Sequence, residues 1–139
     1  MRLHSKNEGE TISLGQRMGQ KLKPGDVVCL YGELGAGKTT ITKGIASSFG
    51  IKKRDITSAS YTIIAEYDGD IPFYHIDLYR LINGEVSELG LHEYFHSDGI
   101  SVIEWAEKAS SEIPDNCIKV KISHTGDDLR EIELEGLSL

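Results

Sequence analysis

The chain has 139 residues, an ordinary globular composition with 39% hydrophobic and 27% charged residues, and a formal net charge of −7. That length fits one domain over residues 1–139, and the acidic balance argues against a protein that grips nucleic acid by neutralising phosphates, so no direct strong nucleic-acid binding is expected. No apolar run reaches membrane-spanning length, the first residues carry no signal-peptide pattern, and the two cysteines, Cys29 and Cys117, form no C-x-x-C pair; the expectation is a cytoplasmic protein with free thiols and no membrane contact.

Residues 1–10 are polar and specify no element. From Glu10 an amphipathic helix is expected, with Leu14, Met18 and Leu22 on one face, running to the Pro24-Gly25 break. Residues 26–31, Asp-Val-Val-Cys-Leu-Tyr, form an apolar run bounded by Gly25 and Gly32, the pattern of a buried parallel strand. Residues 32–39 then fit G-x-x-x-x-G-K-[ST] without a mismatch.

The spacing of that motif has a mechanical reason. Glycines let the backbone curl round an anion, so the amides of Gly32, Glu33, Leu34, Gly35, Ala36 and Gly37 can turn inward on the α- and β-phosphates of a nucleotide. Lys38 reaches the β/γ oxygens, and the hydroxyl of Thr39, with Thr40 beside it in the first helical turn, is placed to ligate a bridging Mg²⁺. A helix is expected over residues 40–49, carrying Ile41, Ile45, Ala46 and Phe49 at helical spacing and stopping at Gly50. Strand, glycine loop and helix are the setting the motif requires. Glu8 and Thr11, ahead of the first core strand, are candidates to lie near an adenine, although packing alone is the simpler explanation for both.

Lys52-Lys53-Arg54 reads as a solvated helix end with cations at the negative pole of the dipole, or as a partner-binding patch. Residues 57–62 place five hydroxyl side chains within six positions. They form either a hydrophilic connection or a switch-like loop that approaches the γ-phosphate and metal. Residues 63–67 and 71–76 flank an Asp-Gly-Asp turn and are expected to pair as an antiparallel hairpin. The second strand ends at Asp77, and a further apolar strand over residues 100–103 ends at Glu104, followed by Trp105.

In open α/β sheets the ligand crevice lies beyond the carboxyl ends of the strands, where both acids would sit. Two carboxylates beside one Mg-nucleotide suit hydrolysis: one holds the metal through water and the other orients or deprotonates the attacking water. Either acid alone would read equally well as a strand-end cap.

Residues 92–96, His-Glu-Tyr-Phe-His, fit H-E-x-x-H, with Gly99 extending the match. The third ligand of a metzincin would fall at Val102 in a strand, and the helix is cramped between Gly90 and Gly99 with Leu91 and Phe95 facing the core. Surface histidines beside an apolar stripe are the better reading. A polar helix is expected over residues 107–113, closed by Pro114. Residues 117–122 and 129–134 alternate apolar and polar side chains about a Gly-Asp-Asp turn, predicting a two-stranded antiparallel ending.

Several stretches together resemble the TsaE family of small bacterial ATPases, which take part in the threonylcarbamoyl modification of adenosine in tRNA. They are the glycine loop, the hydroxyl loop running into Tyr61-Thr62, His75-Ile-Asp-Leu-Tyr-Arg80, Leu89-Gly-Leu-His-Glu-Tyr-Phe95 and Ile103-Glu-Trp105, in that order and spacing. The resemblance covers nearly the whole chain. It implies an α/β, P-loop NTPase-like three-layer sandwich, mainly a parallel sheet with antiparallel hairpin additions, and the cofactors ATP and Mg²⁺. It further implies that Lys38 and Thr39 bind phosphate and magnesium, Glu104 serves the metal, Asp77 supports hydrolysis and Trp105 neighbours the site. ATP turnover would serve a complex with the TsaB and TsaD proteins. The Leu-Gly-Leu-His-Glu-Tyr-Phe stretch belongs to the family pattern, which explains the zinc-like string. One departure stands at Ser58-Ala59-Ser60, where the family has Ser-Pro-Thr; without the proline the loop is less rigid. A small-molecule kinase and a nucleotide-switched binding module are the alternatives, whereas a GTPase is disfavoured because neither N-K-x-D nor D-x-x-G occurs.

Overall fold

The computed structural model describes residues 1–33, 35–57, 63–81 and 85–139. Leu34 of the glycine loop and residues 58–62 of the hydroxyl stretch, on which the switch-like reading falls, lie outside the described residues. In chain order the elements are β1 (Arg2–Ser5), α1 (Glu8–Lys21), β2 (Val27–Tyr31), α2 (Lys38–Ser47), β3 (Ile64–Asp68), β4 (Pro72–Asp77), α3 (Leu91–Phe95), β5 (Ile100–Glu104), β6 (Ile118–His124) and β7 (Arg130–Glu135). Short 3₁₀ turns cover Lys53–Asp55, Val86–Leu89 and Ala106–Ala109.

The strands form one mixed sheet ordered β1-β7-β6-β2-β5-β4-β3. Its centre, β6-β2-β5-β4, is parallel, and β3, β7 and β1 add antiparallel edges. β2 shows why the sheet must be covered on both faces. Val28 and Leu30 pack with Leu14 and Met18 of α1 and Ile41 and Ile45 of α2. The alternate residues Val27 and Cys29 join Leu91 and Phe95 of α3 on the other side. Burial also pushes the Cys29 thiol pKa up, as expected for a thiol in a core.

Helix α1 begins at Asn7, whose side-chain oxygen accepts from the Glu10 amide at 2.8 Å. It lies against α2 so closely that a Cβ on Gly44 would stand 2.3 Å from the Ile12 carbonyl and 2.9 Å from Gly15 Cα. The two glycines set that spacing. Among the described residues no helix is long and apolar enough to cross a membrane.

Two expectations change. The first residues form β1, a four-residue edge strand on β7 that leaves too short a pattern to read. The polar helix expected over residues 107–113 is only the 3₁₀ turn Ala106–Ala109 followed by turns, since Ser110 and Ser111 favour turns over helix interiors. The antiparallel pair expected at the end forms as β6 and β7, and β6 also pairs in parallel with β2, so the pair extends the main sheet. Lys52, Lys53 and Arg54 are exposed, as a solvated stretch should be.

Alanine is the better helix former by about 1 kcal/mol, yet Gly44→Ala must force α1 and α2 apart. We expect a net loss of about 1–3 kcal/mol, the usual range for overpacking, read from urea unfolding; an unchanged or raised midpoint would contradict the close helix contact.

Candidate functional site

The glycine loop leaves the end of β2 and enters α2 through Gly37, whose φ of 115° is left-handed. No described side chain caps this helix end, which leaves its first amides available to an anion. Lys38 is 4% exposed. Its ammonium donates to the carbonyls of Gly32 at 2.5 Å and Glu33 at 2.8 Å and lies 4.2 Å from the centre of the Trp105 ring. Burial lowers the Lys38 pKa, opposed by the negative charges of Glu104, Glu107 and Asp77.

The two acids meet as expected from the strand ends. In the parallel pairing of β4 and β5, Asp77 stands directly beside Glu104, and both are buried. The Thr39 hydroxyl lies 3.0 Å from Glu104 Oε1 and 3.2 Å from Oε2. Thr42, one turn further along α2, brings its Oγ1 to 3.3 Å from Oε2 and 3.0 Å from the Lys38 carbonyl. His75, two residues before Asp77 and on the same face of β4, places Nε2 2.5 Å from Oε2. Asp77 Oδ1 accepts from the Tyr79 amide at 3.1 Å.

Ligand atoms of His75, Asp77 and Glu104 all lie within 4.8 Å of one another, the one group of three or more such residues found among the described ones. Carboxylate oxygens beside a threonine hydroxyl fit a hard divalent cation of the magnesium type, which keeps several waters and needs few protein ligands.

Trp105 adopts φ 60°, the one non-glycine left-handed residue described, at a cost of roughly 1–2 kcal/mol. The strain sets its ring under the lysine amine and 5.1 Å from the Tyr79 ring. On the other side of the loop a cleft of about 160 Å³ is bordered by Glu8, Thr11, Gly35, Gly37, Thr40 and Arg130, among others. Glu8 and Thr11 therefore do border the loop. Glu8 is exposed on the rim, whereas the Thr11 hydroxyl is occupied by Ser5 Oγ at 2.6 Å and the Asn7 carbonyl at 3.2 Å, which ties α1 to β1.

Four residues of the arrangement escaped sequence reasoning. His75 and Thr42 gather on Glu104. His124 places Nε2 2.6 Å from the Gly35 carbonyl, and Arg130 Nε donates to the Ala36 carbonyl at 2.9 Å, so the β6–β7 hairpin holds the glycine loop from outside. The period of two along β4 was the available signal for His75. None marks Arg130. Meanwhile His92 and His96 are exposed with their rings stacked 6.2 Å apart, and His92 Nε2 lies 2.8 Å from the Glu112 carboxylate. Leu91 and Phe95 are buried.

A central parallel sheet, a glycine loop between its strand β2 and α2, and acids at neighbouring strand ends define a P-loop NTPase-like protein. Residues 5–132 match the family described as Threonylcarbamoyl adenosine biosynthesis protein TsaE. The chain belongs to the TsaE family. A relative in Bacillus subtilis (strain 168) is 46% identical over 127 residues, covering 91% of this chain and 79% of its own length. One in Treponema pallidum (strain Nichols) is 38% identical over 133 residues, covering 95% and 98%. Both are named tRNA threonylcarbamoyladenosine biosynthesis protein TsaE. The crystal structure of Bacillus subtilis YdiB superposes with a TM-score of 0.80 at 41% identity, covering 96% of this chain and 83% of that one.

If the hairpin holds the loop, Arg130→Ala should loosen it locally. The Ala36 amide, bonded to the Glu33 carbonyl, should exchange with solvent roughly fivefold faster, the equivalent of about 1 kcal/mol for one hydrogen bond, while β2 amides keep their protection. Equal exchange at Ala36 in mutant and parent, read by NMR, would show that the contact bears no load.

Proposed function

We propose that this chain is a Mg-dependent ATP-binding and ATP-hydrolysing subunit that serves the threonylcarbamoyl modification of adenosine in tRNA together with TsaB and TsaD proteins. The observation that carries the reading is the direct contact between Thr39, the last residue of the glycine-loop motif, and Glu104 at the tip of the neighbouring strand, with Asp77 in register beside it. The names of the relatives supply the tRNA pathway.

In this reading the main-chain amides from Gly35 to Thr40 bind the phosphate chain, and Lys38 turns from the Gly32 and Glu33 carbonyls to its oxygens. Magnesium, when bound, would supply positive charge to offset the negative charge that develops on the phosphates. Thr39 Oγ1 and, through water, Glu104 would hold it. Asp77, fixed by the Tyr79 amide, accepts the proton of the attacking water or orients it. Trp105 shields the lysine from solvent, which strengthens its pull on the phosphates. The net charge of −7 leaves the RNA to be held by the partners.

Lys38→Ala should weaken binding of a fluorescent ATP analogue by about 100-fold, the loss of one or two charge-assisted hydrogen bonds. Asp77→Asn and Glu104→Gln should keep that binding and lower phosphate release about 10²–10³-fold, the range for a catalytic base or a charge-stabilising group. Unaltered hydrolysis in all three variants would refute the assignment. A protein whose ATP-dependent association with TsaB and TsaD survives loss of both acids would instead be a nucleotide-switched binding module.

A further inference from the structure

Two buried polar side chains at the site, Thr42 and His75, have no task in the proposed mechanism. His75 is 4% exposed and faces Glu104, itself 3% exposed. An ionised carboxylate only accepts hydrogen bonds, so with Glu104 in that form the contact at 2.5 Å has Nε2 of His75 as its donor. The two oxygens of Glu104 differ in what they meet. Among the described residues, Oε2 is met by His75 Nε2, Thr42 Oγ1 and the longer arm of Thr39, whereas Oε1 is met by Thr39 alone at 3.0 Å.

That asymmetry has a consequence for geometry. The terminal torsion of a glutamate is soft and nearly two-fold, so a carboxylate held at one point swings. Thr39 cannot be its fixed anchor if its hydroxyl turns to a metal, and Thr42 divides its proton with the Lys38 carbonyl. His75 remains. It stands on a central strand with its ring enclosed, the rigid kind of support that a positioned group needs.

We infer that His75 is a positioning residue: it clamps Oε2 of Glu104 so that Oε1 is turned toward Thr39 and the cation held there. The inference rests on the reading of Glu104 as the acid that serves the metal. Histidine–carboxylate contacts of this outer kind change metal affinity or activity by roughly 10–100-fold when removed.

The test separates a clamp from a core filler. His75→Leu keeps apolar volume and removes the donor, whereas His75→Gln carries an amide N–H at a similar reach. With ADP present, Mn²⁺ binding followed by electron paramagnetic resonance should weaken about 10–100-fold in His75→Leu and stay within about threefold of the parent in His75→Gln, while ADP affinity without metal is unchanged in both. Nitrogen-15 NMR of the unmodified protein, which needs no variant to fold, should find the His75 proton on Nε2. Equal Mn²⁺ affinity in His75→Leu, failure of glutamine to rescue, or an unprotonated Nε2 would each overturn the inference. A parent protein that binds Mn²⁺-ADP in the pattern described and never releases phosphate from ATP would overturn the hydrolysis reading and leave the clamp standing. A parent that binds no Mn²⁺ overturns both.

Discussion

One buried carboxylate organises this molecule. Glu104 sits at the tip of β5, almost wholly enclosed, and an acid in that position is tolerated only where its oxygens are met by donors. Those donors come from two other elements: Thr39 and Thr42 from α2, and His75 from β4. Satisfying the acid therefore fixes where the glycine-loop helix lies on the sheet and how β4 registers against β5. Packing alone would allow the helix to slide by a fraction of a turn; three directional contacts to one group do not. The bonds that satisfy the acid are the same set on which the proposed site rests.

The second constraint is strain placed beside that acid. Immediately after Glu104 the chain turns left-handed at Trp105, a conformation that costs a bulky residue free energy. The turn presents the ring to Lys38 on one side and to Tyr79 on the other. Lys108 closes the arrangement from behind, donating to the Tyr79 carbonyl at 2.5 Å and to that of Leu81 at 3.3 Å. A cation over an aromatic face contributes roughly 0.5–2 kcal/mol depending on desolvation, comparable to the strain. The bend is thus held by what it shelters.

How much of this was legible in the chain depended on whether the signal was local. The strand, loop and helix around Lys38 showed their character within about twenty consecutive residues, because apolar runs and glycine spacing are short-range properties. Asp77 and Glu104 were found because both end apolar strands, and a parallel sheet puts such ends on one edge. His75 was within reach, since a period of two aims it the same way as Asp77, but one histidine in a strand carries no chemistry until its neighbour is known. Arg130 was out of reach. Its partner carbonyl lies 94 positions away, and it depends on β6 joining β2, a pairing that alternation cannot reveal. Residues 107–113 depart from expectation for another reason: a polar stretch between two anchored ends resembles a helix in sequence, but its serines and the left-handed Trp105 before it favour turns.

These long-range contacts bear on how the loop keeps its shape. Lys38 ties the carbonyls of Gly32 and Glu33 from inside the curl, while His124 and Arg130 tie those of Gly35 and Ala36 from the sheet behind it. In the proposed reading an anion entering the curl would draw the lysine away from the inner tie and leave the outer one in place. The outer donors are side chains on paired strands, His124 standing directly opposite Arg130 in the β6–β7 ladder, so they cannot follow the lysine. A loop restrained only by its own lysine would lose its form at the moment of binding. Restrained from both sides, it could give up the inner bonds and keep the outer ones, so that less ordering would remain to be met by a ligand.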